Sequence, residues 1–243
     1  MGQVPQNKYC IIGSGRLAKH LSHYFNLLDI KHQQWSRQSG LDLSNTVKEN
    51  SHILLAISDD SIKDFISGNK EIFGDKVLVH FSGAKNIEGI FSTHPLMSFS
   101  NELYALETYK KISFVCGENT DFKTLFPFLE NGHYNMKNSA KSYYHSLITM
   151  AGNFPQILWT QIKKDLGSQL DLPPDIINGY LAQVTINQIT NPESCLTGPL
   201  VREDKETIDA HKQVLSDSSY ANLYNSFLSF YSGSYSGGAN EAS

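Results

Sequence analysis

Two short patterns in this chain carry residue types suited to chemistry. Residues 13–18 read Gly-Ser-Gly-Arg-Leu-Ala, and Lys141, His145, Thr149 and Asn153 recur at every fourth position further on. The first has the GxGxxA spacing of a dinucleotide-binding turn. Gly13 makes the tight bend, Gly15 lets backbone approach a pyrophosphate, and the small Ala18 lets a helix pack closely on a strand. The amides of Ser14, Gly15, Arg16 and Leu17 would then face the phosphates at the positive end of a helix dipole. A plain structural turn is the competing reading of the same glycines. The second pattern lies along one stripe of a helix and spans roughly 18 Å at about 1.5 Å per residue, so one small substrate can touch only two or three of its members. Such residues suit a carbonyl that receives hydride, because its oxygen gains negative charge and needs a donor that stabilises and then protonates it. Lys141 can act electrostatically throughout neutral pH, whereas His145 can switch protonation near pH 7. Packing against Tyr143 and Tyr144 is the alternative for His145, and helix packing for Thr149.

Three further segments belong with the first pattern. About 20 residues beyond the glycines, Ser36 and Arg37 stand where an NAD-preferring site usually places an acid. A guanidinium there suits the 2′-phosphate of NADPH, with a solvated surface arginine as the alternative and Asp42 as the nearest rival acid. Ligands of open α/β sheets lie outside the carboxyl ends of the strands, which adds Ser58, Asp59, Ser82 and Gly83 to the candidate cofactor contacts. Asp59 or Asp60 as helix N-cap, His80 as a core histidine and Ser82-Gly83 as an ordinary turn are the plain readings. Near the C-terminus, Thr197 and Arg202 in TGPLVRED, with His211 beyond them, are candidate substrate contacts, Arg202 as a clamp for a carboxylate. The same segment also reads as a helix end at Gly198-Pro199, a helix start at Glu203-Asp204, and an Arg202 paired with those acids.

These residues need elements to hold them, and the first half of the chain alternates short apolar runs with helical patterns. Tyr9–Ile12, Lys31–Ser36, HILLAIS, KVLVHFSG and ISFVCG read as strands, and Arg16–Leu28 and DDSIKDFI as helices. Alternation of this kind implies a parallel sheet with helices on its faces. From about Ser139 the pattern is helical throughout, with Pro155 expected to kink or divide a long helix. The division is therefore 1–136 for an α/β Rossmann domain, 137–231 for an all-helical substrate and dimerisation domain, and 232–243 for a disordered tail.

Composition limits the rest. The 243 residues are 40% hydrophobic with a formal net charge of −4, which gives no basic excess for nucleic acid. No apolar run approaches the roughly 20 residues of a membrane span and no leader is evident, so a cytoplasmic location is expected. Cys10, Cys116 and Cys195 are far apart and read as buried thiols. Of the nine histidines, the candidates His80, His94, His133, His145 and His211 come from scattered segments, and no HExxH, His-x-His or close Cys/His spacing is present, so no metal is expected.

The motifs GSGRLAKHL, WSR, AISDDSI, HFSGA, HPLMSF, KSYYHSLITMAGN and LTGPLVREDKETIDAHKQVL, in that order, resemble a bacterial family of Rossmann proteins with an all-helical C-terminal domain. That family is similar to the ketopantoate, pyrroline-5-carboxylate and 6-phosphogluconate reductases. The resemblance runs to about residue 230. It implies NADPH-dependent reduction of 2-dehydropantoate to pantoate, in pantothenate and coenzyme A biosynthesis, by a homodimer acting on a small α-keto acid. Carried over by position, Lys141 matches the catalytic lysine of the ketopantoate reductases and Asn153 an asparagine, while His145 and Thr149 depart from the pattern. Reduction of another small carbonyl or an imine, and cofactor binding by a sensor without turnover, remain as alternatives.

Overall fold

A computed structural model describes residues 8–235. Contacts between backbone segments divide the chain into two compact units, Met1–Leu158 and Trp159–Ser243.

The first unit is built on a seven-stranded sheet in the order β2-β1-β3-β4-β5-β6-β7. Its strands are β1 (Tyr9–Ile12), β2 (His32–Trp35), β3 (His52–Leu55), β4 (Val77–His80), β5 (Phe91–Pro95), β6 (Phe114–Gly117) and β7 (His133–Met136). Strands β1 to β5 run parallel; β6 pairs antiparallel to β5, and β7 runs parallel to β6. The helices of this sheet are α1 (Arg16–Leu27), α2 (Leu43–Lys48), α3 (Asp59–Gly68), α4 (Lys70–Phe73), α5 (Leu106–Lys110) and α6 (Phe122–Leu125). The expected parallel α/β sheet with a helical C-terminal part is thus the observed fold class.

Alternation along the central strands explains why both faces are covered. Tyr9 and Ile11 enter one apolar cluster with Phe25, Leu54 and Phe126, while Cys10 and Ile12 enter a second with Val47, Ile53, Leu55 and Ile62. A strand whose residues are apolar at every position must be buried on both faces, which favours a parallel sheet sandwiched by helices. The first core holds one polar link. Asn131, 2% exposed, accepts from the Tyr24 hydroxyl at 2.8 Å and donates to the carbonyls of Tyr109 and Ile112, both at 2.8 Å.

A longer helix, α7 (Lys141–Leu170), runs unbroken through Pro155, so the expected division at that proline does not occur. The first unit extends to Leu158, well past residue 136, because the first turns of α7 are bonded to the sheet. The second unit holds the end of α7 with α8 (Asn178–Thr190), α9 (Lys205–Leu215) and α10 (Ala221–Tyr235). Tyr220 donates to the Asp165 carboxylate and ties α7 to the approach of α10. Among the described residues of this unit no side chain is buried, and Ile189, Phe230 and Phe227 are 75%, 62% and 56% exposed. Helix α10 continues to Tyr235, so residues 232–235 are helical where a disordered tail was expected, because the aromatic and aliphatic pattern before them propagates through. The remainder of that expectation, 236–243, lies outside the described residues.

The two glycines after β1 serve different needs. Gly13 has φ +137°, and a Cβ there would lie 2.2 Å from the carbonyl oxygen of Ala56, so both backbone and neighbour require glycine. Gly15 has φ −71°, and a Cβ there would meet nothing within 4 Å. Gly13→Ala is therefore expected to destabilise the fold by about 3 kcal/mol, and Gly15→Ala by less than about 0.5 kcal/mol. Urea unfolding of the two variants checks this, and equal losses would contradict the assignment.

Candidate functional site

The carboxyl ends of β1, β2 and β3 form one wall each of a cleft of about 490 Å3. Eight of the predicted cofactor contacts line it: Gly13, Ser14, Gly15, Arg16 and Leu17 from the first turn, Ser36 and Arg37 after β2, and Ser58 after β3. The turn is held from outside the cleft, since the Gly13 amide donates to the Trp35 carbonyl at 2.8 Å and Gln34 donates to the Gly13 carbonyl at 2.8 Å. Gly15 caps α1 without any side-chain hydrogen bond, and the first intrahelical bond runs from the Lys19 amide. The amides of Arg16, Leu17 and Ala18 thus have no partner within the helix, which makes this end an anion cradle. Space at Gly15 adds to the fit with a dinucleotide, because a side chain there would fill the cradle.

Arg37 stands at the rim, exposed and without an ion pair among the described residues. Its rival Asp42 is occupied elsewhere: it caps α2, accepting from the Asn45 amide at 2.8 Å. Ser58, not Asp59 or Asp60, is the N-cap of α3. Asp60 pairs with Lys85 at 3.1 Å on the surface, and Asp59 accepts from the Ser82 hydroxyl, joining the loop after β3 to the loop after β4. Asp59, Ser82 and Gly83 lie outside the lining of this cleft. Their place is in a second cluster.

That cluster forms where α7 begins to lie along β5. Four residues of helix rise about 6 Å and two residues of strand about 6.6 Å, so Lys141 and His145 on one face of α7 match Ser92 and His94 on one face of β5. Lys141 Nζ donates to Ser92 Oγ at 2.6 Å. His145 packs edge-on against His94 with ring centroids 5.8 Å apart, and His94 Nδ1 shares a hydrogen bond of 2.9 Å with the Tyr144 hydroxyl. Gly83 sits against both imidazoles: a Cβ there would lie 2.5 Å from His145 Cδ2 and 3.2 Å from two carbons of the His94 ring. The glycine is therefore needed to admit the histidine pair.

Burial sets the charges. Lys141 is 3% exposed, and desolvation lowers its pKa to about 8, with nearby Cys116 and Asp59 offsetting part of the effect. Burial, reinforced by electrostatic repulsion from His145 and Lys141 and only partly opposed by Asp59, lowers His94 to about 4. His80, fully buried, falls to about 4 through burial and then Lys141. Its Nδ1 accepts from the Ser82 amide at 3.2 Å, so the neutral ring carries its hydrogen on Nε2, which has no partner. At neutral pH the buried ammonium of Lys141 therefore lies near two neutral imidazoles, His80 and His94.

The remaining expected residues fall elsewhere. Asn153 is exposed on α7, three turns beyond Lys141, and is not brought to the cluster. In the second unit Thr197 and Arg202 are exposed, and the charge of Arg202 helps lower the Asp204 carboxyl after the Thr207 hydrogen bonds. His211 Nδ1 bonds the Tyr224 hydroxyl at 3.0 Å and so joins α9 to α10. Cys10 and Cys116 are buried thiols raised to about 12 by burial, whereas Cys195 is half-buried and donates to Gln188. Among the described residues no group of three His, Cys, Asp or Glu is placed to hold a metal ion, and no helix is long and apolar enough to cross a membrane. Ser92, His94 and Tyr144 were not singled out as site residues. The available signal was the Lys141/His145 spacing itself, which asks for two partners two residues apart on a strand.

Comparison with known proteins bears on the fold. The profile of a family described as a domain of unknown function (DUF2520) matches residues 118–229, short of half the chain. No curated protein matches the sequence. Among solved structures, BF3122 of Bacteroides fragilis, a proposed NADP oxidoreductase, is similar with a TM-score of 0.73 and 16% identity over 93% of this chain and 97% of that one. An imine reductase of Streptomyces aurantiacus gives 0.63 at 12% identity, covering 96% and 95%. The pyrroline carboxylate reductase of Plasmodium falciparum, solved with NADP bound, gives 0.57 at 11% identity, covering 92% and 95%. At these identities the likeness establishes a shared Rossmann-type fold.

Proposed function

We propose that this chain is an NADPH-dependent reductase of a small carbonyl or imine compound, and that its substrate is 2-dehydropantoate, reduced to pantoate as by the alternative ketopantoate reductase PanG. One observation carries the reading: a cleft with free α1 amides, an open Gly15 and an unpaired Arg37 lies on the same sheet edge as the buried Lys141 cluster. NADPH, when bound, supplies the hydride. Gly13 to Leu17 would hold its pyrophosphate and Ser36 with Arg37 its 2′-phosphate. Lys141 provides a fixed positive potential toward the oxygen or nitrogen that gains electrons. His145, beside the neutral His94, is the group suited to pass a proton, and the Asp59–Ser82 bond holds the two loops that flank it.

The names of the Plasmodium and Streptomyces neighbours favour a second reading, in which the reduced bond is C=N as in pyrroline-5-carboxylate. Oxidation of NADPH, followed by absorbance with 2-dehydropantoate, pyrroline-5-carboxylate and NADH offered in parallel, decides between them. Turnover with 2-dehydropantoate and NADPH supports the first reading, turnover only with the imine supports the second, and binding without turnover leaves a sensor.

We further propose that the second unit is completed by a second copy of the chain, because four helical segments with no buried side chain among the described residues lack a core of their own. Sedimentation should give twice the 27.2 kDa chain mass, and a monomer at micromolar concentration would exclude the dimer.

Two substitutions test the roles of the charges. Arg37→Ala should weaken NADPH binding about 10- to 100-fold and leave NADH unchanged, since a charge-assisted contact contributes about 1.5–3 kcal/mol. An equal loss for both cofactors would refute the 2′-phosphate contact. Lys141→Met should lower turnover by about a hundredfold or more while raising stability at pH 7. The folded-state pKa of Lys141, about 8, lies below its ordinary 10.5, so the unfolded chain holds that proton more tightly. The burden of the buried charge is complete below pH 8, shrinks as pH rises to 10.5 and is absent above. Wild-type stability should thus gain about 3 kcal/mol relative to Lys141→Met across that range, and parallel pH profiles of the two proteins would disprove this.

A further inference from the structure

Beside the Lys141 cluster is a second cavity, also of about 490 Å3, between the 86–90 loop, the start of β5, the end of β6 with the loop after it, and the short turn that precedes α7. Ser92 pairs in register with His80, the last residue of β4, so this cavity opens at the level where the strands bounding the first cleft end. Three side chains from three elements meet in it. A Cβ on Gly117 would lie 2.9 Å from Asn138 Oδ1, 3.0 Å from Ser92 Oγ and 3.4 Å from Thr120 Oγ1. Gly117 has no positive φ, so its backbone does not ask for glycine; the missing side chain keeps the space around these polar groups open.

The three groups are held ready. Asn135 donates to the carbonyls of Gly117 and Thr120 at 2.8 and 2.7 Å and clamps the loop that carries them. Ser92 accepts from Lys141 and so has its own hydrogen left to donate. Thr120 is 6% exposed, and its hydroxyl, like the side-chain amide of Asn138, has no partner among the described residues. Behind Ser92 stands Lys141, a buried ammonium with no carboxylate in ion-pair range among the described residues. A buried cation and two hydroxyls free to donate, with the Asn138 amide beside them, together lack one component, an anion that accepts hydrogen bonds.

We propose that this cavity is the carboxylate subsite for a small 2-oxo or 2-imino acid, held by Ser92, Thr120 and Asn138 with the Lys141 charge behind Ser92. As a substrate site it rests on the reductase reading above; as a carboxylate site it stands without it. His94 follows Ser92 by two residues on the same face, about 6.6 Å away, which directs the adjoining C=O or C=N bond toward the histidine pair. The exposed Glu88 at the rim discourages a second negative group, so monocarboxylates are preferred over phosphates. The carboxylate role expected of Arg202 thereby passes to residues of the sheet unit.

Oxamate, a monocarboxylate whose carbonyl resists reduction, is the probe, with neutral oxamide as its control. Calorimetric titration of the full chain, with and without NADPH, should show oxamate binding and no oxamide binding. Gly117→Ala places a methyl group among the three side chains and should weaken oxamate at least about tenfold, as should Ser92→Ala. The NADPH affinity of Gly117→Ala should match wild type, because the first cleft uses other strands, and this match also reports an intact fold. Unchanged oxamate affinity in Gly117→Ala, or equal binding of oxamide, would overturn the proposal. Oxamate binding that Gly117→Ala removes, in a protein that does not bind NADPH, would support the subsite and refute the reductase.

Discussion

A lysine ammonium buried to 3% exposure and answered by one serine hydroxyl is the constraint around which this site is arranged. A charge in such a place is costly unless hydrogen-bonded, and the bond forms only if the first turns of α7 lie along β5. That alignment brings His145 to His94, which in turn forbids a side chain at Gly83. The same charge keeps nearby His80 and His94 neutral by adding to their desolvation. One electrostatic demand thus fixes the helix, the strand and the protonation of the imidazoles together.

The two units differ in what stabilises them. The sheet unit has an apolar cluster on each face and buries the large side chains of β1 and β3 completely. In the helical unit, where no described side chain is buried, the helices are joined by polar contacts such as Tyr220 with Asp165 and His211 with Tyr224. Contacts of that kind contribute about 1 kcal/mol each, far less than a core of several aliphatic residues. The chemistry proposed above uses the self-sufficient unit.

Much of the fold was legible because it is written locally. The turn from β1 into α1, with Gly13 and Gly15, depends on residues within a few positions of each other, and so does the alternation of β3 and β4. The cofactor half of the site followed from it. Strand β5 was not legible: FSTHP is short, polar in the middle and closed by a proline, and it becomes a strand through its pairing with β4 and β6. Ser92 and His94 were lost with it. Lys141 and His145 stood out by spacing alone, but their partners are fixed by register across about 50 residues, which periodicity does not encode. The stripe also overreached, since a helix carries its face out of contact within three turns, and Asn153 shows it.

Asn131 shows how uniqueness can come from a weak interaction. An apolar residue at that place would tolerate several arrangements of α1, α5 and the approach to β6, since apolar contact has no direction. The Asn131 amide is satisfied in one arrangement, with the Tyr24 hydroxyl on its oxygen and two carbonyls on its nitrogen. Two residues later the chain enters β7 and pairs with β6. The side chain therefore carries information more than energy: a slip of one residue at the outer edge of the sheet would orphan its oxygen and its nitrogen at once.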